Sequence, residues 1–242
     1  MDTNDTASKS IYKIGAISAI SAFVVGILEI LITFLPGGSE VQETVLDWFI
    51  LFQENTFLGL RNMGLLNIFL TILGIATYFA LYTAHRNTRY QPYAAIAMIV
   101  SFIGVGVFLA TNRAFAMLDL SNQYALGTTE AQKGILEAAG QTMLSVGASH
   151  TPGTFLAFFL SEVAGFMISI VMLRSNIFSR ATAYAGIVGF GFLLIFEFAS
   201  SFISGLSAVG ILFAMLGGLL SLVWYALIAR KLFELSKAET TS

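Results

Sequence analysis

Six long apolar stretches constrain this 242-residue chain more than any other feature of its sequence. A helix crosses the hydrocarbon core of a bilayer, about 30 Å thick, in about 20 residues. Strands are a poor alternative, because apolar and polar residues do not alternate and the runs are too long for barrel strands. We therefore predict an all-α fold, a polytopic transmembrane bundle of six helices. The predicted spans are residues 14–35, 62–84, 92–116, 153–173, 182–204 and 208–229.

The composition excludes several classes of protein. Charged residues make up only 11% of the chain, whereas soluble domains carry about 25%. The net charge of −2 includes no basic surplus, so we predict no nucleic-acid partner and take the lipid bilayer as the main one. The chain has no cysteine, which excludes disulfides, thiolate metal sites and cysteine nucleophiles.

The distribution of Lys and Arg predicts the orientation of the spans. Three of these residues, Arg61, Arg113 and Lys133, fall on one side of the predicted bundle. Because cytoplasmic loops carry the excess of Lys and Arg, both termini are predicted to be cytoplasmic. We expect a cytoplasmic tail over 1–12, a six-helix domain over 13–235 and a second tail over 236–242. The opposite, cytoplasmic set is Lys9, Lys13, Arg86, Arg89, Arg174, Arg180, Arg230, Lys231 and Lys237.

Both long outer loops carry helix-start signals. The segments Ser39–Gln42 and Thr129–Gln132 match the capping box, in which side chains satisfy the first free amides of a helix. Two short amphipathic helices are therefore predicted, either lying on the membrane surface or folding over the bundle as a cap. The predicted apolar faces are Val41, Val45, Trp48 and Phe52 in the first, and Ile135, Ala138, Ala139, Met143 and Val146 in the second.

Small residues recur every four positions in the last three spans. Such stripes let helix backbones approach closely, which drives helix association in lipid. They predict tight packing within the bundle and could also form an oligomer contact. The stripes are Ala157, Ser161 and Gly165, then Ala185 and Gly189, then Gly210, Ala214 and Gly218.

Three glutamates lie within the predicted spans, where an unpaired charge is unfavourable by at least about 2.5 kcal/mol. Their depth along the helices places Glu29, Glu197 and Asn67 at one level in the outer third. Glu162 lies one to two turns deeper. We expect Glu29 and Glu197 to face inward near Asn67, with Arg61 or Arg113 as the nearest cation. The candidate ligand or proton cluster is Glu29, Arg61, Asn67, Arg113, Glu162 and Glu197.

This cluster has two interpretations. It is either an ion-pair network that fixes helix register or a ligand or proton site open to the outside. His85 and His150 lie at opposite ends of the bundle, so they cannot share one metal or haem, and both are predicted to be ordinary interfacial residues. The sequence contains no motif that assigns a catalytic residue, a cofactor or a metal site.

For the second interpretation we predict a cavity of at least about 300 Å³ on the outer face. The first five spans would form its walls, and its floor would lie near Glu162. The leading function class is a membrane protein that binds or transports a small molecule or proton. A structural or regulatory subunit and an intramembrane enzyme using the buried carboxylates are the alternatives, with the enzyme disfavoured.

Several segments resemble a known family. They are Thr111–Arg113, Leu120–Ala125, Thr128–Gln132 and Leu136–Gly140, with Leu58–Arg61 and Leu66-Asn67 nearby. The chain resembles over nearly its whole length the bacterial and archaeal six-helix membrane proteins known only as domain of unknown function 4386. The resemblance implies a multi-pass protein of the plasma (inner) membrane. It implies no activity and no site residues.

Overall fold

The structure is a computed structural model that describes residues 3–33, 42–147, 149–203 and 207–238. These ranges contain ten helices and no strand. The first helix begins at Thr3, within the segment predicted as a tail. The helices are α1 (Thr3–Thr33), α2 (Val45–Glu54), α3 (Thr56–Asn62), α4 (Leu65–His85), α5 (Gln91–Thr111), α6 (Ala114–Leu126), α7 (Glu130–Ser145), α8 (Phe155–Ser175), α9 (Arg180–Phe202) and α10 (Ser207–Lys237).

Six of these helices confirm the predicted spans, being long and apolar enough to cross a membrane. They are α1, α4, α5, α8, α9 and α10, and they form a closed ring in chain order. Each packs against the span before it and the span after it, and α10 closes the ring against α1. Large apolar side chains such as Ile14, Ile103 and Leu212 stay exposed on the perimeter, consistent with contact with lipid.

Small residues bring the spans into close contact. A Cβ added at Gly165 would lie 2.6 Å from the ring of Phe190, and one at Gly189 would lie 2.9 Å from Leu220. In α10, however, Gly217 is the residue against α9, where an added Cβ would lie 2.9 Å from the carbonyl oxygen of Gly189. An added Cβ at Gly218 would meet nothing within 4 Å among the described residues. The stripe predicted in the last span is thus displaced by one position.

The helices α2, α3, α6 and α7 pack on one another at one end of the ring, and we call them the loop-helix layer. Val45, Phe49, Phe52 and Met117 form its core. The Ser121 hydroxyl donates to the Phe49 carbonyl at 2.9 Å and ties α6 to α2. The opposite end of the ring carries Arg86, Arg89, Arg174 and Arg180 near the helix ends, and we call it the basic end.

The first helix of this layer begins at Val45, several residues after the predicted start. Ser39 itself lies outside the described residues. The Thr44 amide donates to Asp47 Oδ2 at 2.8 Å, and the Asp47 amide donates to Thr44 Oγ1 at 3.2 Å. This reciprocal pair is a capping box built with aspartate rather than glutamate or glutamine. Hydrogen bonds from the Thr44 side chain and backbone lower the pKa of Asp47.

The helix α7 begins as predicted, with the Thr129 hydroxyl accepting from the Gln132 amide at 3.2 Å. Its predicted apolar face is not packed, because Ile135 is 70% exposed and Met143 and Val146 are also exposed. The residue that contacts α2 is Gly140, where an added Cβ would lie 2.6 Å from Val45. The contact of α7 with α2 is therefore made by a glycine, which carries no hydropathy signal, and the predicted apolar face of α7 is left uncovered.

Two of the span boundaries that differ from the prediction set the positions of the arginines: the second span begins at Leu65 rather than 62, and the third ends at Thr111 rather than 116. Gly64, with φ of +92°, separates α3 from α4, so Arg61 lies on a short separate helix. The helix α5 ends at Thr111, so Arg113 lies between α5 and α6. The Asn112 side chain joins the two breaks, since it donates to the Met63 carbonyl at 3.1 Å and accepts from the Ala114 amide at 3.0 Å.

Candidate functional site

The six predicted site residues do not form one cluster in the structure. They fall into two ion-paired contacts and two cavities. Glu29 and Arg61 form one pair, and Glu197 pairs with a residue outside the predicted set. Asn67 and Glu162 line one cavity, and Arg113 lines a second, smaller one.

Of the two arginines that the sequence allowed as the nearest cation to Glu29, Arg61 is the one that pairs with it. Its Nη2 atom lies 3.2 Å from Glu29 Oε1 and donates to the Glu29 carbonyl oxygen at 3.1 Å. The same atom hydrogen-bonds the Thr33 hydroxyl, and Nη1 donates to Asn62 Oδ1 at 3.1 Å. Arg61 is only 6% exposed and Glu29 about one-third exposed. A guanidinium with so many fixed partners ties the end of α1 to α3.

Glu197 pairs with His150, which corrects the prediction that an arginine would be its nearest cation. The His150 Nδ1 and Glu197 Oε2 atoms are 2.5 Å apart, and the Ser201 hydroxyl donates to Oε1 at 3.4 Å. Because a carboxylate oxygen only accepts, Nδ1 carries the proton. Glu197 is wholly buried and His150 is 32% exposed. Both carboxylate oxygens therefore have a donor.

His150 is the functional candidate that the sequence analysis missed. It takes a left-handed backbone conformation, with φ of 61°, and its ring lies 4.2 Å from that of Phe158 and 4.8 Å from that of Phe196 between centroids. A signal was present in the sequence. His150 precedes the fourth span and Glu197 lies near the end of the fifth, so antiparallel neighbours bring both to the same end.

The second histidine, His85, is wholly buried at the basic end. Its Nδ1 atom lies 2.7 Å from the Leu81 carbonyl oxygen, which can only accept, so Nδ1 carries a proton. Its Nε2 atom lies 3.0 Å from the Ser175 hydroxyl, and its ring stacks on Phe178 with centroids 5.7 Å apart. These contacts join the ends of α4 and α8 and indicate a structural role.

A cavity of about 210 Å³ lies between the spans, and we call it the Glu162 cavity. Its volume equals that of about seven water molecules at about 30 Å³ each. Along α4 its lining runs from Asn67 to Tyr78, about 16 Å of helix. The lining residues are Asn67, Leu70, Thr71, Gly74, Tyr78, Ser101, Val105, Phe108, Ala157, Phe158, Ser161, Glu162, Phe190, Leu193 and Tyr225.

Glu162 is the one carboxylate in this lining, and it is 7% exposed. Its Oε2 atom is buried without a hydrogen-bond partner among the described residues. Among the described residues the lining contains no Lys, Arg or His, and its other ionisable side chains are the phenols of Tyr78 and Tyr225. Glu197, on the adjacent helix, is near enough to interact electrostatically with Glu162. Glu197 itself is already paired with His150.

Two hydroxyls in the lining donate their single proton to a backbone carbonyl of their own helix. Thr71 donates to the Asn67 carbonyl at 2.6 Å, and Ser161 donates to the Ala157 carbonyl at 3.3 Å. Their lone pairs remain to accept a hydrogen bond from a guest. The rest of the wall is largely aromatic, with the rings of Tyr78, Phe108, Phe158, Phe190 and Tyr225.

A second cavity of about 30 Å³ lies toward the loop-helix layer, and we call it the Arg113 cavity. It shares Phe108, Ala157 and Phe158 with the Glu162 cavity. The rings of Phe108 and Phe158 meet edge to face, with centroids 5.7 Å apart. Arg113 donates to the Met143 carbonyl at 3.1 Å, which joins this wall to α7. The two phenylalanines therefore stand between the two cavities.

The Glu162 cavity differs from the predicted one in three respects. Its volume of about 210 Å³ is below the predicted minimum of about 300 Å³. Its residues come from α4, α5, α8, α9 and α10, so the last span contributes and the first does not. Glu29 and Glu197 do not line it, because each is turned toward its own cation.

Within residues 3–33, 42–147, 149–203 and 207–238, no group of three or more His, Asp or Glu is placed to hold a metal ion. The arrangement offers one unpaired carboxylate, a few hydrogen-bond acceptors and aromatic walls. The resemblance to the family of unknown function stays a prediction. Comparison of the chain with protein-family models, with curated proteins and with solved structures finds no match.

Proposed function

We propose that this chain is a multi-pass membrane protein that binds a small guest or a proton at Glu162, in the cavity between its spans. One observation carries the proposal: Glu162 is buried in a cavity wall, and its Oε2 atom has no partner among the described residues. Glutamates inside a membrane are unfavourable unless they are paired or functional. The two other intramembrane glutamates are paired with Arg61 and His150, whereas Glu162 has no such partner among the described residues.

The route that we propose for the guest leads through the Arg113 cavity. Movement of Phe108 or Phe158 would join this cavity to the Glu162 cavity, because both rings belong to both linings. The loop-helix layer lies at this end, and its helix α7 holds Arg113 through the Met143 carbonyl. The layer is then a cover over the route. The exposed Ile135 face of α7 suits an amphipathic helix at the membrane surface.

The proposal is tested by mass spectrometry of protein purified in mild detergent. We expect a small molecule to be retained by the wild type and lost from Glu162→Gln. Glu130→Gln is the matched control, since Glu130 is 96% exposed and makes only a 3.9 Å contact with Lys133. If the guest is a proton, a hydrophobic carbodiimide will label Glu162 instead.

Two results would contradict the proposal. One is an identical bound molecule in the wild type and in Glu162→Gln, because the carboxylate would then play no part. The other is no bound molecule together with no carbodiimide reaction at Glu162. In the proton case the groups nearby are Glu197 on α9, Tyr78 on α4 and Tyr225 on α10, and Glu197→Gln serves as a second reference.

We further propose that the basic end is cytoplasmic and that the protein lies in the plasma membrane. The support is the excess of Lys and Arg beside the spans at that end. The chain has no cysteine, so single cysteines can be labelled without background. Thr128→Cys should react with an impermeant thiol reagent in intact cells, and Asn87→Cys only after the cells are opened. The reverse pattern would overturn the orientation.

A further inference from the structure

We infer that the guest of the Glu162 cavity is a small primary ammonium ion, and this inference rests on the proposed function. The hydrogen-bonding capacity of the wall is the first argument. When it is ionised, Glu162 can only accept, and the hydroxyls of Thr71 and Ser161 have donated their protons to backbone carbonyls. A guest that meets these three groups has to supply N–H or O–H donors. A primary ammonium ion has three donors.

Charge is the second argument. An ionised Glu162 gives the lining a formal charge of −1, and the lining contains no basic side chain. A guest with one positive charge would neutralise it without displacing a partner. By contrast, Glu29 and Glu197 are held by Arg61 and His150, so a cation would have to compete for either. An anion would meet an uncompensated carboxylate.

The aromatic walls are the third argument, because they suit an organic cation better than a metal ion. Rings attract a nearby ammonium through their π faces and also cover an alkyl chain. Hard metal cations need a shell of about six oxygens at one point. Along α4 the oxygen-bearing residues of this lining extend from Asn67 to Tyr78, about 16 Å apart, which is too far for both to reach one ion.

Size limits the guest to a few heavy atoms. The cavity holds about 210 Å³, which is below the range of about 300–1,000 Å³ for sites of drug-sized ligands. A primary amine with a short alkyl chain meets this limit. The ammonium would lie among Glu162, Ser161 and Thr71, and the chain would lie against the rings of Phe158 and Phe190.

The test uses n-butylammonium, with 1-butanol as a probe of similar shape and no charge. Tetramethylammonium supplies charge without N–H donors, and K⁺ supplies charge without an organic body. Binding to full-length protein in detergent is measured at neutral pH by calorimetry and by the shift in Tm. We expect n-butylammonium to bind and Glu162→Gln to weaken it by at least about tenfold. Glu130→Gln should leave its affinity unchanged.

A second variant keeps the test decisive if Glu162→Gln folds poorly. Thr71→Val removes one acceptor and keeps the side-chain shape, and it should weaken n-butylammonium by about threefold to tenfold. Binding of K⁺ alone, lost in Glu162→Gln, would overturn the amine while the proposed function stands. Equal binding of n-butylammonium and 1-butanol would also overturn it. Failure of every probe, with a retained native molecule that depends on Glu162, would reject the amine class and leave the cavity as the site.

Discussion

Glu197 lies on α9 and Glu162 lies on the neighbouring helix α8, yet the two glutamates have opposite surroundings. Glu197 is wholly buried, but His150 and Ser201 donate to its two oxygens. Glu162 is nearly as buried and faces a cavity with no basic side chain in its lining. One carboxylate is held in place by the protein, whereas the Oε2 atom of the other has no partner among the described residues.

The difference between these two glutamates shows that burial alone does not identify a functional carboxylate. Breaking a buried ion pair leaves an uncompensated charge and destabilises strongly. Removing the charge of an unpaired buried carboxylate removes an unfavourable energy of burial from the folded state. Paired glutamates in this protein should therefore govern stability, while Glu162 should govern binding. The following variants test this division between stability and binding.

The largest effect is expected at Arg61. Replacing it in Arg61→Met removes the guanidinium that contacts Glu29, Thr33 and Asn62. We expect a loss of about 3 kcal/mol in the free energy of unfolding, near the low end for a broken buried pair because Glu29 is partly exposed. The loss is measured by unfolding in mixed micelles of increasing SDS content. Adding Glu29→Gln should recover part of it.

The control for Arg61 is Arg230→Met. Arg230 is 78% exposed and pairs with Glu234 at 3.2 Å, and exposed pairs of this kind contribute about 1 kcal/mol or less. Equal losses for the two arginine variants would show that the Glu29–Arg61 contact is not a structural tie.

An intermediate effect is expected for Glu197→Gln. The amide keeps the shape of the side chain but loses its charge-assisted hydrogen bond with His150. A loss of about 2 kcal/mol is expected, since buried hydrogen bonds to charged groups contribute about 1.5–3 kcal/mol. The same unfolding assay measures it, and a double-mutant cycle with His150→Ala isolates the pair. A coupling energy near zero would show that the contact between His150 and Glu197 does not stabilise the fold.

The matched comparison is Glu162→Gln, for which the smallest effect on folding is expected. Its unfolding free energy should equal or exceed that of the wild type, because no partner among the described residues is lost at Oε2 and an uncharged amide of the same shape replaces a buried carboxyl group. A loss as large as that of Glu197→Gln would end the distinction between the two glutamates and favour an ion-pair network throughout.

The sequence predicted the six spans because long apolar runs and their flanking charges are local signals. From the rise of a helix per residue it also indicated that Arg61 or Arg113 would be the cation nearest to Glu29, and in the structure that cation is Arg61. It could not predict that Gly64 would separate Arg61 from α4, or that α5 would end at Thr111 and leave Arg113 between helices. Asn112 joins both breaks, and its hydrogen bond to the Met63 carbonyl forms only after these two distant parts of the chain meet.

The candidate site was predicted in part. Glu162 and Asn67 do line a common cavity, as the small set of buried polar residues suggested. The direction in which each carboxylate points is a property of helix rotation, which is decided by packing at residues such as Gly165 and Gly217. The role of His150 depends on a left-handed backbone conformation in a loop, and loop conformation leaves little trace in apolar periodicity.

The closure of α10 against α1 has a consequence for how the cavity comes into being. Five of the six contacts in the ring join consecutive spans, but this one joins helices that are separated by most of the chain. Contacts between residues so far apart along the chain have the largest loop-closure entropy. They are therefore expected to form last during folding. Tyr225 on α10 completes the lining. The complete lining therefore requires α10, and a nascent chain that has inserted only the first five spans has not yet acquired it.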